Sequence, residues 1–170
     1  MMKVVMFFWN SILSAQRLVM FVTSICVLFL IASAAFMRYF LQKDFYGMED
    51  IVLIMAFWMY FMGGAYASYE KSHISAEVVS AYVKNEQNKR ILRLIASGVT
   101  AVLSWIFSYW GFLLVLWALE SPKTTVMLHI PVIVPQTAII LGFFLMCLYS
   151  TIHFINDVRG FIRWKREGMQ

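Results

Sequence analysis

The stretch Leu18–Met37, LVMFVTSICVLFLIASAAFM, decides the fold. It contains no Asp, Glu, Lys or Arg. As an α-helix rising 1.5 Å per residue it covers about 30 Å, the thickness of a bilayer's hydrocarbon core. Three further stretches repeat the pattern. Ile51–Tyr69 ends just before Glu70, Leu94–Leu119 is bounded by Arg93 and Glu120, and Val132–Ile155 carries His153 near its end and no full charge. The composition agrees: of 170 residues, 62% are hydrophobic, 17% aromatic and 14% charged, with a mean hydropathy of +0.75. A soluble domain holds about 45–50% apolar and about 25% charged residues, and at this size its core could not absorb the surplus. A soluble enzyme and a disordered chain are both excluded. The fold expected is an all-α membrane protein. One domain covers 1–170, with four transmembrane helices at about 18–37, 51–69, 94–119 and 132–155. Ala32-Ser33-Ala34 after Lys3 and Arg17 mimics a signal-peptide cleavage site, but the apolar run exceeds the about 7–15 residues of a signal core, so it is read as a retained helix.

The few charges set the orientation. Lys3 and Arg17 precede the first span. Lys71, Lys84, Lys89, Arg90 and Arg93 lie between the second and third, and Arg159, Arg163, Lys165 and Arg166 follow the fourth. The opposite side holds only Arg38, Lys43 and Lys123. Cytoplasmic loops carry the Lys/Arg excess, so both termini and the middle loop are expected inside. The net charge of +5 therefore reports topology, and no nucleic-acid partner is implied. Three cytoplasmic segments have amphipathic spacing: Val4, Phe8 and Ile12; Ile74, Val78 and Tyr82; and Val158, Phe161 and Ile162 beside Arg159, Arg163 and Arg166. They fit short interfacial helices on membrane lipid, and the first and last fit equally well as extensions of spans one and four.

No catalytic chemistry is legible. Ionisable groups at helix centres are costly and mark ion or proton paths, and all four spans lack Asp, Glu, Lys and Arg. His129 and His153 flank span four from opposite sides, roughly 36 Å apart along a helix, too far to clamp one haem. His73 with His153 is the remaining pair for an axial-ligand role. Cys26 and Cys147 sit in apolar runs, so neither a disulfide framework nor a zinc site is expected, and phosphate-loop, dinucleotide and triad signatures are absent. No cofactor or metal is assigned.

The helices do carry packing chemistry. Gly63-x-x-x-Ala67 and Gly64-x-x-x-Ser68 in span two, and Ser97-x-x-x-Ala101 and Ser104-x-x-x-Ser108 in span three, are small-residue pairs that admit close helix approach, within the chain or against a partner. Trp105, Tyr109 and Phe112 share roughly one face of span three, fit for lipid or for a partner helix.

Read in order, Arg38-Tyr39-Phe40, acidic Glu49-Asp50 opening span two, Trp58, Gly63-Gly64-Ala65, His73-Ile74-Ser75-Ala76-Glu77 and Ile130-Pro131 before span four resemble the small membrane subunit of TRAP transporters, the tripartite ATP-independent periplasmic transporters (the DctQ-like family). The resemblance runs over essentially the whole chain. Gly47-Met48 stands where that family has a tryptophan-led acidic motif, and Ser75-Ala76-Glu77 departs from its pattern after the histidine. The resemblance implies a bacterial inner-membrane protein without catalytic activity. Its partners would be a large multi-span subunit that moves organic acid anions, sialic acid among them, with sodium, and a periplasmic substrate-binding protein. Under it, Trp58, Gly63, Gly64, Trp105, Tyr109 and Phe112 are expected to pack against the large subunit. Arg38, Tyr39, Lys43, Asp44, Glu49, Asp50 and Lys123 would form a periplasmic docking patch, with Arg38 near Glu49 or Asp50. His73 and Glu77 would order the cytoplasmic loop. The competing class is the membrane anchor of a respiratory or other enzyme complex.

Overall fold

The computed structural model describes residues 2–70 and 86–167. Four helices account for nearly all of them: α1 Met2–Phe40, α2 Met48–Tyr69, α3 Glu86–Glu120 and α4 Ile133–Glu167. Each contains a run long and apolar enough to cross a membrane. The two tails are not separate interfacial helices; α1 and α4 continue unbroken through them, because neither Pro nor a Gly-led turn interrupts the junctions after Ala15 and Ile155. The stripe Ile74–Tyr82, with His73 and Glu77, lies outside the described residues.

The helices pack side by side in the order α1–α2–α4–α3, and among the described residues no other pair of helix backbones comes close. The result is a row, not a closed bundle. α1 shows how a sequence produces that. Leu13, Gln16 and Thr23 are buried, and Trp9, Met20, Val27, Leu30, Ala34 and Met37 are partly buried, at alternating spacings of four and three. This is the single seam of a left-handed helix pair; among residues 9–40 Val19, Cys26 and Ser33 are partly buried beside it and the other positions are exposed. α2 runs antiparallel to α1, since the start of α1 meets Tyr66 and Tyr69 at the end of α2. α4 runs parallel to α2, matching Phe61 to Phe143 and Tyr69 to Tyr149. α3 returns antiparallel, setting Gly98 against Phe154 and Gly111 against Ile140 and Phe143.

Small residues fix the seams. A Cβ on Gly142 would lie 2.8 Å from the Phe61 carbonyl oxygen, so α2 and α4 touch backbone to backbone, as small residues permit in membrane helices. On α3, Ala101, Gly111 and Ala118 are buried against α4 while Trp105, Tyr109 and Phe112 stay largely exposed. A spanning helix needs about 20 residues. α1, α3 and α4, at 39, 35 and 35 residues, overhang on the same side, where α1 and α3 start and α4 ends.

Candidate functional site

At the overhanging end, α1, α2 and α4 meet in an aromatic core. Tyr149 is 2% and Gln16 3% exposed, and the Tyr149 hydroxyl donates to Gln16 Oε1 at 2.9 Å. Trp9 packs edge-on against Tyr149, with ring centroids 5.2 Å apart, and Tyr69 completes the cluster at 5.5 Å from Tyr149. The Arg17 guanidinium lies 5.3 Å from the centre of the Tyr66 ring, a cation–π contact at the edge of the apolar layer. His153 Nε2 donates to the Tyr69 carbonyl at 3.0 Å, satisfying one of the acceptors left open at the C-terminus of α2. The sequence signal for the core was Gln16: a polar residue in phase with Trp9, Leu13 and Met20 must find a partner when its seam closes.

The opposite end is built on turns. Gln42 adopts left-handed backbone (φ 49), which folds the chain back so that the Lys43 N–H reaches the Met37 carbonyl at 3.3 Å. Gly47, at φ 75, precedes α2. The segment between α3 and α4 forms a small hairpin. Val132 N–H bonds Lys123 O at 2.9 Å, Thr125 N–H bonds Ile130 O at 2.8 Å, and His129 takes left-handed backbone (φ 56) near the tip. That tip rests on the start of α2. Asp50 Oδ2 accepts from the backbone N–H groups of Met127 (3.1 Å) and Leu128 (2.8 Å), and the Leu128 side chain fills the space where a Cβ on Gly47 would be. Asp50 is thus engaged by backbone, a use that sequence reasoning missed because the partners lie 77 and 78 residues away.

The remaining residues of the expected docking patch share this end. Arg38, Tyr39, Lys43, Asp44 and Glu49 are exposed, and the Lys123 ammonium sits 4.5 Å from the centre of the Trp117 ring. Beside Lys123 a cavity of about 350 Å³ opens between α3 and α4, lined by Trp117, Pro131 and Gln136 among others.

The residues expected to face a partner divide into two groups. Gly63 and Gly64 are oriented inward: the position of a Cβ on Gly63 is nearest Met20 of α1, and on Gly64 nearest Met146 of α4. The lack of a side chain matters at Gly64, where a Cβ would meet the Met146 methyl, and not at Gly63, whose nearest neighbour stands at ordinary contact distance. Trp58 is partly buried in α2. Trp105 and Tyr109 are each 61% exposed and Phe112 51%, although the Trp105 indole N–H reaches Thr151 of α4 at 3.2 Å. Among the described residues no three metal-binding side chains converge.

Compared with known proteins, the chain matches at residues 27–160 the family model for tripartite ATP-independent periplasmic transporters, DctQ component. No curated protein matches it.

Proposed function

Since the chain belongs to the DctQ component family of tripartite ATP-independent periplasmic transporters, we propose that it is the non-catalytic small permease subunit that braces the large membrane subunit. The observation that carries this reading is the apolar surface left uncovered on the two outer helices of the row. Trp105, Tyr109 and Phe112 on α3, with Phe21, Leu28 and Phe29 on α1, stay largely exposed after the chain has folded. Aromatic side chains of this kind anchor interfaces, and helices without charged centres suit a fixed partner better than a transport path. Both termini face the cytoplasm by the distribution of Lys and Arg, which puts the Asp50-clasped hairpin on the periplasmic side of the inner membrane. There Arg38, Tyr39, Lys43, Asp44, Glu49 and Lys123 help dock the substrate-binding protein. The large subunit carries sodium coupling and organic acid selectivity, with sialic acid one candidate substrate.

Co-purification from native membranes tests the brace: a much larger multi-span subunit is expected with this chain, and its absence would falsify the proposal. Reversing Arg38, Lys43 and Lys123 to Glu is expected to lower uptake while leaving the membrane complex assembled. Uptake that does not change removes the docking role.

A further inference from the structure

On the overhanging side, Arg90 and Arg93 of α3 and Asn156, Asp157, Gly160 and Phe161 of α4 line a cleft of about 80 Å³. A single buried water needs only about 10–15 Å³, so the cleft has room for a tetrahedral phosphate group. Its depth relative to the membrane follows from the sequence: Arg93 immediately precedes the apolar run that starts at Leu94, and Asn156 immediately follows the one that ends at Ile155. The cleft therefore stands at headgroup level. A Cβ on Gly160 would meet nothing within 4 Å, so the α4 backbone is bare on that side. The Arg90 guanidinium is held 5.5 Å from the centre of the Trp164 ring, which orients it without neutralising it. The lining holds two guanidinium groups and one carboxylate, Asp157, and exposed Arg159, Arg163 and Arg166 add to the surrounding positive field. Phe161 gives the cleft an apolar wall and packs against Trp164, with ring centroids 6.0 Å apart.

We propose that this cleft between α3 and α4 binds the phosphodiester of one anionic phospholipid, with the acyl chains entering the hydrocarbon layer alongside the apolar runs that start at Leu94 and end at Ile155. Basic clefts between membrane helices are suited to acidic headgroups. The excess of cation over Asp157 selects a net negative lipid over a zwitterionic one, and the position of the cleft at the edge of the apolar layer selects a lipid over a free anion. That the lipid lies in the cytoplasmic leaflet rests on the orientation proposed above. Binding in detergent does not depend on orientation, so the two ideas fail separately.

The experiment is native mass spectrometry of the full chain, with whatever subunit accompanies it, after exposure to equal amounts of phosphatidylglycerol and phosphatidylcholine. One phosphatidylglycerol is expected to remain bound, with phosphatidylcholine lost. Arg93→Gln, which adds no volume, is expected to lower retention about fivefold, the worth of one cation near an anionic lipid. Gly160→Leu, which adds bulk to the cleft lining from an unobstructed position, is expected to abolish retention, and Arg166→Gln, outside the cleft, to lower it less than Arg93→Gln does. Circular dichroism checks that each variant stays helical. Equal retention of the two lipids overturns the proposal. So does full retention in both Arg93→Gln and Gly160→Leu, or displacement of the lipid by millimolar inorganic phosphate.

Discussion

Asp50 does at residue scale what a longer loop would otherwise need many contacts to do. Its single carboxylate oxygen ties the tip of the α3–α4 hairpin to the first turn of α2, and Gly47 makes room for Leu128 beside it. Replacing Asp50 by Ala is expected to speed amide hydrogen exchange at Met127 and Leu128 and to leave protection around Tyr149 unchanged. Equal loss at both ends would mean that the clasp supports the whole fold. Gly47→Ala meets two obstacles, a left-handed backbone and the Leu128 side chain. It should cost about 1–2 kcal/mol from the backbone alone, measurable as a lowered unfolding midpoint in detergent. The acidic pair at 49–50 was legible in the sequence as charge near a helix start. Its division of labour was not: a carboxylate that accepts from backbone N–H groups of another loop leaves no local pattern, whereas exposed Glu49 beside it looks the same in one dimension.

At the scale of elements, seams built from small residues make sharp predictions. Gly142→Ala forces its Cβ into the Phe61 backbone, and overpacking of this kind costs about 1–3 kcal/mol. Gly160→Ala, with nothing near its Cβ, is the matched control, and similar midpoints for the two would refute backbone contact between α2 and α4. The Gln16–Tyr149 bond invites a double-mutant cycle. Gln16→Leu alone strands a buried hydroxyl and Tyr149→Phe alone strands a buried amide, so the double variant should recover part of the loss, with a coupling of about 0.6–1.7 kcal/mol as found between membrane helices. The four spans were readable from length and apolarity, because the bilayer leaves no alternative to helices of that size. Their neighbours were not. Gly63 and Gly64 advertise close approach in any sequence, and only the arrangement of helices reveals that α1 and α4 are the elements that approach.

At the scale of the whole molecule, orientation is the reading on which the functional proposals converge. A fluorescent protein fused after Gln170 is expected to fluoresce, as it does in the cytoplasm, and a cysteine replacing Lys123 to react with an impermeant maleimide from the periplasm. The reverse pattern would place the hairpin and its charges on the wrong side for a periplasmic partner. The overhang of α1, α3 and α4 could be anticipated only in part: the amphipathic stripes at either tail are compatible with a helix lying flat or standing upright. Continuity of the backbone through Ala15–Leu18 and Ile155–Val158 selects the upright form.

The order α1–α2–α4–α3 has one more consequence. A ring of helices has an inside, and a solute path through a membrane protein is a ring with its inside left wet. A single file has two flanks and no lumen. Reconstituted alone into sealed vesicles, this chain should therefore leave them as tight to sodium and to organic acids as lipid by itself, and a leak would require copies of it to close upon one another.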